Sequence, residues 1–429
     1  MILAELIDEF VSGDWGNEEC SDDTPNAVFC IRAADFEPIL SVDYSNIPTR
    51  YISDNSYKNK LLKAGDIIIE KSGGSPTQST GRVILVTEEL LKEKQHIVCS
   101  NFCEAFRVKK EWSPFYIFSY LQLIYNEGVF FNFEGKTSGL KNLQMDQAFS
   151  SIDIPEQSSD ISILASIDKK IALNRKINIG LEALAKEIYD YWFVQFDFPD
   201  KDGRPYKSSG GKMVWDERVK KELPEGWEVS TLSSKIVGKK VGDWGQEELK
   251  TPYTMKVNCI RGADFADPTN APTRYINKKN DNRLLAENDL IIEISGGSPI
   301  QATGRSVIVS KGLIDKYKGD ITCSNFCQAL TLENANMSLY FFYTWVLLYN
   351  NGNMFNYEGK TSGIKNLQID TLLGNYWYFP TSELLSTYAK MVQGFIVQRD
   401  LNVAELNDLI QLRSYLLPLL MNGQISIKE

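Results

Sequence analysis

The feature that most constrains the fold is a sequence that occurs twice in one chain. The segment "DIIIEKSGGSPTQSTGR" at 66–82 returns as "DLIIEISGGSPIQATGR" at 289–305, with 13 of 17 positions identical. Shorter words recur in the same order: "GDWG" at 13–16 and 242–245, "CIRAADF" at 30–36 against "CIRGADF" at 259–265, and "PTRYI" at 48–52 and 272–276. The offset falls only from 229 to 223 or 224 residues, so one short deletion explains nearly all of it. A repeat this long indicates a duplicated domain, not a solenoid built from units of roughly 20–50 residues.

The length and the charge of the chain limit the classes of protein. At 429 residues it is long enough for roughly three units of typical domain size, each with its own core. The formal net charge of −10 argues against a free-standing binder that is drawn to DNA by charge, because such proteins usually carry a basic surplus. Net charge describes the whole chain and not one face of it, so DNA binding stays open.

Seven cysteines and no recognisable signal peptide predict a reducing, cytoplasmic location. Six of these cysteines occupy matched places in the two copies: Cys30, Cys99, Cys103, Cys259, Cys323 and Cys327. Three thiols per copy are one ligand short of a closed zinc site, and the single histidine, His96, is not repeated, so we expect core packing and no metal. The longest apolar stretches, at 115–125 and 338–348, are too short for a membrane span of about 20 residues.

Each copy reads as a compact α/β domain with a strongly curved sheet. "DIIIE" and "GRVILV" in the first copy, like "DLIIE" and "GRSVIV" in the second, predict short buried strands. "SGGSP" between them predicts a turn, because Gly-Gly and Ser-Pro both interrupt regular structure. An apolar helix is predicted near 114–126 and again near 338–350.

A long amphipathic helix is predicted after each copy. In the first helix apolar residues recur at steps of three and four, with Asn174 as a polar member of the stripe: Leu164, Ile167, Ile171, Ile177, Leu181, Leu184 and Ile188. The pattern returns in the second helix with Met391, Phe395, Leu406, Leu409, Leu412, Leu416 and Leu419. Such a stripe suits a coiled-coil seam, although each helix could instead merely cover its own domain. The predicted order is a globular domain at 1–157, a long helix at 158–196, a linker at 197–228, a globular domain at 229–381 and a long helix at 382–424.

The Gly-Lys-Thr word in "NFEGKTSGLKNLQ" (132–144) and "NYEGKTSGIKNLQ" (356–368) raises the question of nucleotide binding. A phosphate-binding P-loop needs four residues between its glycine and Gly-Lys-[Ser/Thr], whereas six lie between Gly128 and Gly135. The lysine of a P-loop also opens a helix, and the glycine that follows at once here disfavours one. We therefore read the word as part of the duplicated domain and not as an ATP site.

Several longer words resemble one family, the specificity (S) subunits of type I restriction-modification enzymes. They are "LNRKINIGLEALAKEIYDYWFVQFDFP" (173–199), "GRPYKSSGGKM" (203–213), "LPEGWE" (223–228) and, in the globular copies, "SGGSP" and "TSGIKNLQ". The resemblance covers essentially the whole chain. It implies an α+β protein with two similar target recognition domains, joined by two long helices that pack as an antiparallel coiled coil with pseudo-twofold symmetry.

The resemblance also implies a function and partners. Each globular copy would read one half of a split site in double-stranded DNA, and two methyltransferase (M) subunits would dock on the helices. S-adenosylmethionine for adenine-N6 methylation, and ATP and Mg²⁺ where two restriction (R) subunits are present, would belong to those partners. No cofactor is expected on this chain, and neither is a membrane.

The residues themselves agree with a non-catalytic reader. The sequence contains no "NPPY"-like or "DPPY"-like methyltransferase motif, no G-x-S-x-G and no carboxylate cluster of nuclease type. Three alternatives stay open: a divergent methyltransferase or ATPase, a scaffold whose globular copies bind protein, and a specificity subunit of a modification-only complex.

Candidate DNA-binding residues are taken from the two recurring loops, because base edges are read by Arg, Lys, Asn, Gln, Ser and Thr. In the first copy they are Ser75, Gln78, Thr80, Arg82, Lys136, Thr137, Ser138, Lys141 and Asn142. In the second copy they are Ser298, Gln301, Thr303, Arg305, Lys360, Thr361, Ser362, Lys365 and Asn366. The copies differ, and so could differ in specificity, at Lys71 against Ile294, Thr77 against Ile300 and Ser79 against Ala302.

The expected symmetry of the protein predicts the form of its target. Two similar domains at opposite ends of an antiparallel helix pair would share a pseudo-twofold axis, and protein dyads match palindromic DNA. The target is therefore expected to be interrupted, with halves that are inverted repeats or nearly so. For both halves to face one side of the protein, their centres should lie about 10 base pairs apart.

Overall fold

The computed structural model describes residues 1–75, 77–137, 140–157, 161–298, 301–361 and 364–425. Within these ranges the side chains of five strand residues are not described: Lys136, Thr137, Leu140, Lys360 and Thr361. The chain divides into two compact units. Unit 1 contains Met1–Lys176 and Glu405–Glu429, and unit 2 contains Ile177–Ala404. Each unit therefore holds one copy of the repeat together with one part of each long helix.

The globular part of unit 1 consists of short strands and helices. The strands are β1 (Ile7–Ser12), β2 (Asn26–Ile31), β3 (Thr49–Ile52), β4 (Ile67–Glu70), β5 (Ser72–Gly73), β6 (Val83–Leu85), β7 (Ile97–Cys99), β8 (Cys103–Val108), β9 (Glu134–Thr137) and β10 (Leu140–Leu143). The helices are α1 (Leu3–Leu6), α2 (Phe36–Leu40), α3 (Asp54–Lys60), α4 (Glu88–Glu93), α5 (Pro114–Asn126) and α6 (Met145–Ser151). These strands form three sheets, in the orders β1-β8-β4-β6, β3-β2-β7 and β5-β10-β9.

After the 28-residue helix α7 (Ser162–Tyr189) and a π-helical turn at Asp190–Val194, unit 2 repeats this plan. Its strands are β11 (Met213–Asp216), β12 (Lys221–Pro224), β13 (Glu228–Thr231), β14 (Ile236–Val241), β15 (Tyr253–Ile260), β16 (Thr273–Asn277), β17 (Leu290–Glu293), β18 (Ser295–Gly296), β19 (Ser306–Ile308), β20 (Ile321–Cys323), β21 (Cys327–Leu332), β22 (Glu358–Thr361), β23 (Ile364–Leu367) and β24 (Tyr376–Phe379). The helices are α8 (Lys311–Tyr317), α9 (Ala335–Asn350), α10 (Ile369–Leu373) and α11 (Ser382–Met421). The three sheets recur as β14-β21-β17-β19, β16-β15-β20 and β18-β23-β22.

The core elements predicted from the repeat are confirmed. The β4 residues Ile67–Glu70 are buried throughout and pair antiparallel with β6, as expected for "DIIIE" and "GRVILV". Helix α5 begins where Ser113 accepts a hydrogen bond from the Tyr116 N–H and Pro114 occupies the first turn, where a missing N–H costs nothing. The single curved sheet expected for each copy is instead three small sheets, of which the one after the turn is separate because β4 and β17 stop at the glycine-containing turns that follow them.

The segment 197–228, predicted as a linker, is built into unit 2. It contains the β11–β12 hairpin and ends at β13, which pairs antiparallel with β24. Leu223 is buried in a cluster with Phe196, Val229 and Tyr378, and Trp227 packs against that cluster. Apolar residues of this otherwise glycine-rich and charged segment therefore pack it against the globular core of unit 2.

The long helices follow the predicted stripe only in part. In unit 1, Leu164, Ile167 and Ile171 are buried with the end of α11, as predicted. In unit 2 the buried face of α7 instead passes through Ala185 and Tyr189. The stripe was wrong at four positions, which are exposed: Ile177, Leu184, Met391 and Leu412. An α-helix repeats every 3.6 residues, so a strict three-and-four stripe drifts off the face that the globular core covers.

Within each unit the two long helices pack antiparallel, as the fold class predicted. In unit 1 the Arg413 Nε donates to Asp168 at 2.5 Å, and the buried Asn174 donates to Glu405 at 2.7 Å. Residue numbers thus rise along α7 as they fall along α11. In unit 2 the Asn402 amide donates to Asn178 at 2.9 Å and Arg399 lies 3.8 Å from Glu182, so the helix segments there are also antiparallel. The polar member of the predicted stripe is therefore paired across the seam.

The six matched cysteines are buried, which confirms their prediction as core residues. Burial raises the pKa of Cys30 to about 12 and of Cys103 to about 11, so these thiols are protonated at neutral pH. Among the residues that the structure describes, no group of three or more His, Cys, Asp or Glu side chains is placed to hold a metal ion. In the described ranges, no helix combines the length and the apolar character that crossing a membrane requires.

Two glycines of unit 2 should respond to alanine in opposite ways. Gly296 has φ +148°, and an added Cβ would lie 2.8 Å from the Glu293 Oε1, so Gly296→Ala should lower the free energy of unfolding by about 1–3 kcal/mol. Gly180 lies in α7 with no atom within 4 Å of an added Cβ, so Gly180→Ala should raise it by about 0.5–1 kcal/mol. Denaturant titration of both variants checks this; equal stability for both would contradict the turn geometry.

Candidate nucleic-acid interface

In each unit, one small sheet brings the two recurring loops together. In unit 1, β10 pairs with β9 on one side and with β5 on the other, where Lys141 faces Gly73 and Asn142 faces Ser72. We call β5, β9 and β10 the hairpin sheet of unit 1, and β18, β22 and β23 the hairpin sheet of unit 2. The second repeats the first residue by residue, with Lys365 opposite Gly296 and Asn366 opposite Ser295. The Gly-Lys-Thr words thus lie in strands and do not open a helix, which removes the P-loop geometry.

Glycine is required where the core strand passes into the hairpin sheet. Gly73 has φ +146°, a region open to glycine but not to other residues, and an added Cβ would lie 2.5 Å from the Glu70 Oε1. This close approach lets the buried Glu70 carboxylate lie directly beneath β5. The "SGG" word is therefore explained by the packing of the turn on Glu70.

The asparagines are held by neighbouring serines. The Ser72 hydroxyl donates to the Asn142 Oδ1 at 2.5 Å, and the Ser295 hydroxyl donates to the Asn366 Oδ1 at 2.6 Å. A bond to the amide oxygen fixes the orientation of each side chain. Asparagine in a fixed orientation is the side chain that recognises adenine through paired hydrogen bonds.

The two hairpin-sheet lysines whose side chains are described, Lys141 and Lys365, are half-buried and paired. The Lys141 Nζ lies 2.9 Å from the Glu134 carboxylate and 5.0 Å from the centre of the Phe131 ring. Lys365 repeats this arrangement with Glu358 at 2.8 Å and the Phe355 ring at 4.9 Å. The positive charges are therefore largely compensated where they stand, in keeping with the acidic chain.

The Glu358 carboxylate anchors the hairpin sheet to the turn. Burial alone would raise its pKa, but hydrogen bonds from Lys365 and from the Thr303 N–H outweigh burial and leave the pKa lowered. The Thr303 N–H donates to Glu358 at 2.7 Å, as the Thr80 N–H does to Glu134 at 2.8 Å. Both threonines are buried, so they position the loops.

The two arginines predicted from the turns lie in internal ion pairs. The Arg82 guanidinium donates to both oxygens of the buried Glu70, at 2.8 and 2.9 Å, and Arg305 does the same with Glu293 at 2.9 and 2.6 Å. Such fork-to-fork pairs are the strong form of charged hydrogen bond. Contact with DNA stays a prediction for these arginines, but each already has a structural partner.

The tips of the turns are more open. A pair of backbone hydrogen bonds joins Ser75 to Gln78, and the Ser75 hydroxyl also accepts from the Gln78 N–H at 3.1 Å. Ser298 and Gln301 form the same closed turn. The side chains of Gln78 and Gln301 are exposed, so of the candidates in the turn they are the ones that a ligand can reach.

The positions that differ between the copies are not all at the surface. Lys71 lies 3.1 Å from the Glu104 carboxylate, whereas its counterpart Ile294 is half-buried. Ser79 and Ala302 are both buried, and only Thr77 among the described members is exposed. Ile300, Ser138 and Ser362 lie outside the described residues. Lys136, Thr137, Lys360 and Thr361 are placed by their strands alone.

Sequence reasoning missed exposed aromatic residues beside both hairpin sheets. They are Phe102 and Phe131 in unit 1 and Phe326 and Phe355 in unit 2. All four lie in sequences that the two copies share. Phe102 and Phe326 belong to "SNFC", and Phe131 and Phe355 stand three positions before the glutamate of "EGKT". The repeat itself was the available signal, but apolar residues in repeated words read as core until their exposure is known.

Comparison with known proteins agrees with this architecture. Residues 24–183 match the model of the type I restriction modification DNA specificity domain. The MjaIX specificity subunit of Methanocaldococcus jannaschii is 23% identical over 284 residues, which cover 64% of this chain and 60% of that protein. The HindI specificity subunit of Haemophilus influenzae is 28% identical over 181 residues, or 40% of this chain and 37% of that protein.

One solved structure shows the same fold. The type I restriction-modification S subunit of M. genitalium superposes with a TM-score of 0.53 and 15% identity, over 97% of this chain and 94% of that one. The matched domain and the curated relatives show that part of this chain is similar to type I restriction-modification specificity subunits, and the solved structure shows that the fold is shared. The alignments span less than two thirds of the length of the curated relatives.

Removing the Arg82 side chain should act on folding more than on binding. Arg82→Ala leaves the buried Glu70 charge unpaired and should lower the free energy of unfolding by about 3–5 kcal/mol. Arg204 forms exposed pairs with Asp200 and Asp202, so Arg204→Ala should change it by about 0–1 kcal/mol. Denaturant titration of both variants provides the measurement. An Arg82→Ala protein of native stability would show that the pair is not structural.

Proposed function

We propose that this chain is the DNA sequence-recognition subunit of a type I restriction-modification complex. Each globular copy reads one half of a bipartite, interrupted target in double-stranded DNA. The match to a DNA specificity domain within residues 24–183 supports this for the first copy, and the internal repeat extends it to the second.

One observation carries the proposal: both units build the same hairpin sheet from the same hydrogen bonds. Ser72 with Asn142 is repeated by Ser295 with Asn366, and the lysine–glutamate pair recurs in the same strands. Base reading needs donors and acceptors held in fixed directions, which a small sheet anchored on a buried carboxylate supplies. Two matched readers in one chain suit a target with two related halves.

Two methyltransferase subunits are the proposed partners on the helices. Unit 1 exposes Ile163, Leu173, Ile410, Leu412 and Tyr415 on its helix segments, and unit 2 exposes Ile177, Ile179, Leu184, Met391, Val397 and Leu401. Apolar side chains that the globular copies leave uncovered suit a stable protein interface. Adenine-N6 methylation with S-adenosylmethionine then belongs to those subunits, and ATP-driven restriction with Mg²⁺ belongs to R subunits where present.

The same assembly accounts for the acidic chain. The formal net charge is −10, and Lys141 and Lys365 of the hairpin sheets, like Arg82 and Arg305 of the turns, are paired with carboxylates. Partner subunits would supply much of the phosphate neutralisation, so binding by the free chain would be weak and salt-sensitive. Free cysteines throughout the chain support a cytoplasmic location.

A genome-wide map of adenine methylation tests the reader role. In cells that carry this chain and its cognate methyltransferase, we expect one split motif whose halves are inverted repeats or nearly so, centred about 10 base pairs apart. Unrelated halves would keep the reader role and refute the symmetry argument. Methylation that does not depend on this chain, with both proteins expressed, would overturn the proposal.

A charge on the exposed helix surface should prevent assembly. Leu401 lies in α11 and is exposed, so Leu401→Glu should leave the fold intact and remove the methyltransferase from the purified complex. Leu249, an exposed leucine outside the long helices, provides the matched control Leu249→Glu, which should keep the partner bound. Subunit ratios after size-exclusion chromatography give the readout. Equal retention of the methyltransferase by both variants would place the interface elsewhere.

A further inference from the structure

Each hairpin sheet is accompanied by two phenylalanines that the fold leaves exposed to the same degree in both copies. Phe102 and its counterpart Phe326 are both 56% exposed, and Phe131 and Phe355 are both 44% exposed. An exposed phenylalanine forgoes about 1.5–3 kcal/mol of the free energy that burial would contribute. Equal exposure at matched positions is therefore a feature to be explained.

Retention of these residues contrasts with changes in the core around them. The buried Phe106, four residues after Phe102, corresponds to Leu330 in the second copy. Another exposed phenylalanine, Phe10, corresponds to Lys239, since both face the same position of the adjacent strand in their sheets. The copies thus exchange buried and exposed phenylalanines freely, yet keep Phe102 and Phe326. Packing alone does not require that.

The backbone places Phe102 at the edge of the candidate interface. Its carbonyl accepts hydrogen bonds from the Lys71 N–H at 2.8 Å and the Ser72 N–H at 3.1 Å, and Ser72 in turn holds Asn142. In unit 2 the Phe326 carbonyl accepts from Ile294 at 2.8 Å and Ser295 at 3.2 Å.

Phe131 has a different role. Its ring lies under the Lys141 ammonium, so it is already engaged in holding that lysine. Of the two exposed phenylalanines beside the hairpin sheet of unit 1, Phe102 is therefore the one whose ring remains for a ligand.

We propose that Phe102 and Phe326 make an apolar contact with a DNA base in each half-site, beside the asparagine and lysine of the hairpin sheet. This inference rests on the proposed DNA-reading function. The contact would be with a thymine methyl group or with the face of a base at a partly opened step, both of which phenylalanine provides in DNA-binding proteins. Because the ring is uncharged, it adds affinity for bases and none for phosphates.

The test uses the complete complex with its cognate methyltransferase and a duplex that carries the methylated motif. Phe102→Ala and Phe326→Ala should each weaken binding by about tenfold, the scale of losing one base–aromatic contact. The slope of log affinity against log salt concentration should not change, since no phosphate contact is lost. Phe102→Leu should fall between wild type and alanine, because it keeps apolar area and loses the ring.

Phe10→Ala is the matched control, since Phe10 is 50% exposed but lies in β1 and is replaced by Lys239 in the second copy. It should bind DNA as tightly as wild type, and thermal unfolding of every variant separates lost contact from lost fold. If Phe102→Ala does not fold, Phe102→Leu and the unit 2 variants still decide the question.

Three outcomes would overturn parts of the argument separately. Specific binding that stays within twofold of wild type in both alanine variants would refute the phenylalanine contact and leave the reader role standing. Loss of the methyltransferase from the Phe102→Ala complex would place this residue in a protein interface instead. A wild-type complex without any sequence preference would remove the proposed function itself.

Discussion

The interface depends on a buried carboxylate in each copy. Glu70 is the last residue of the core strand β4, and its carboxylate accepts two hydrogen bonds from the Arg82 guanidinium. The carboxylate lies so close to position 73 that only glycine fits there. Glu293 does the same in unit 2 with Arg305 and Gly296. A buried charge of this kind is costly unless every oxygen is satisfied, so it tolerates few alternative positions of its partners. The strand, the turn and the first strand of the hairpin sheet are consequently fixed relative to one another.

A second carboxylate extends this rigidity to the residues that would touch a ligand. Glu134 receives the Thr80 N–H from the turn and the Lys141 ammonium from β10, so it joins the two recurring loops. The sequence words around these residues are repeated because they form one structure of interdependent contacts. Binding side chains then start from fixed positions and lose less conformational entropy when a ligand binds.

Much of the fold could be predicted from the sequence, because the strand and helix patterns are local and the repeat shows them twice. The strands at β4 and β6, the apolar helices and the antiparallel helix pairing within each unit are all confirmed. The candidate interface was harder to predict, since the type of a residue does not reveal which other side chain it is bonded to. Arg82 was predicted as a DNA contact but is bonded to Glu70, and no sequence signal singled out Phe102, which is exposed. The predicted burial of Ile177 and Leu184 was wrong for a related reason, because the face that a helix buries depends on what packs against it.

The way in which the copies differ shows how one framework can tolerate changes beside the hairpin sheet. Lys71 and Glu104 form an ion pair in unit 1, and the corresponding residues of unit 2 are Ile294 and Gln328. Both charges are therefore absent together, so this exchange leaves the summed charge of the two positions unchanged. A compensated exchange of this kind changes the local surface without disturbing Glu70, Glu293 or the glycines that rest on them. Divergence confined to such positions would alter the local contacts of each copy while keeping its framework, which supports the proposal of near-inverted half-sites.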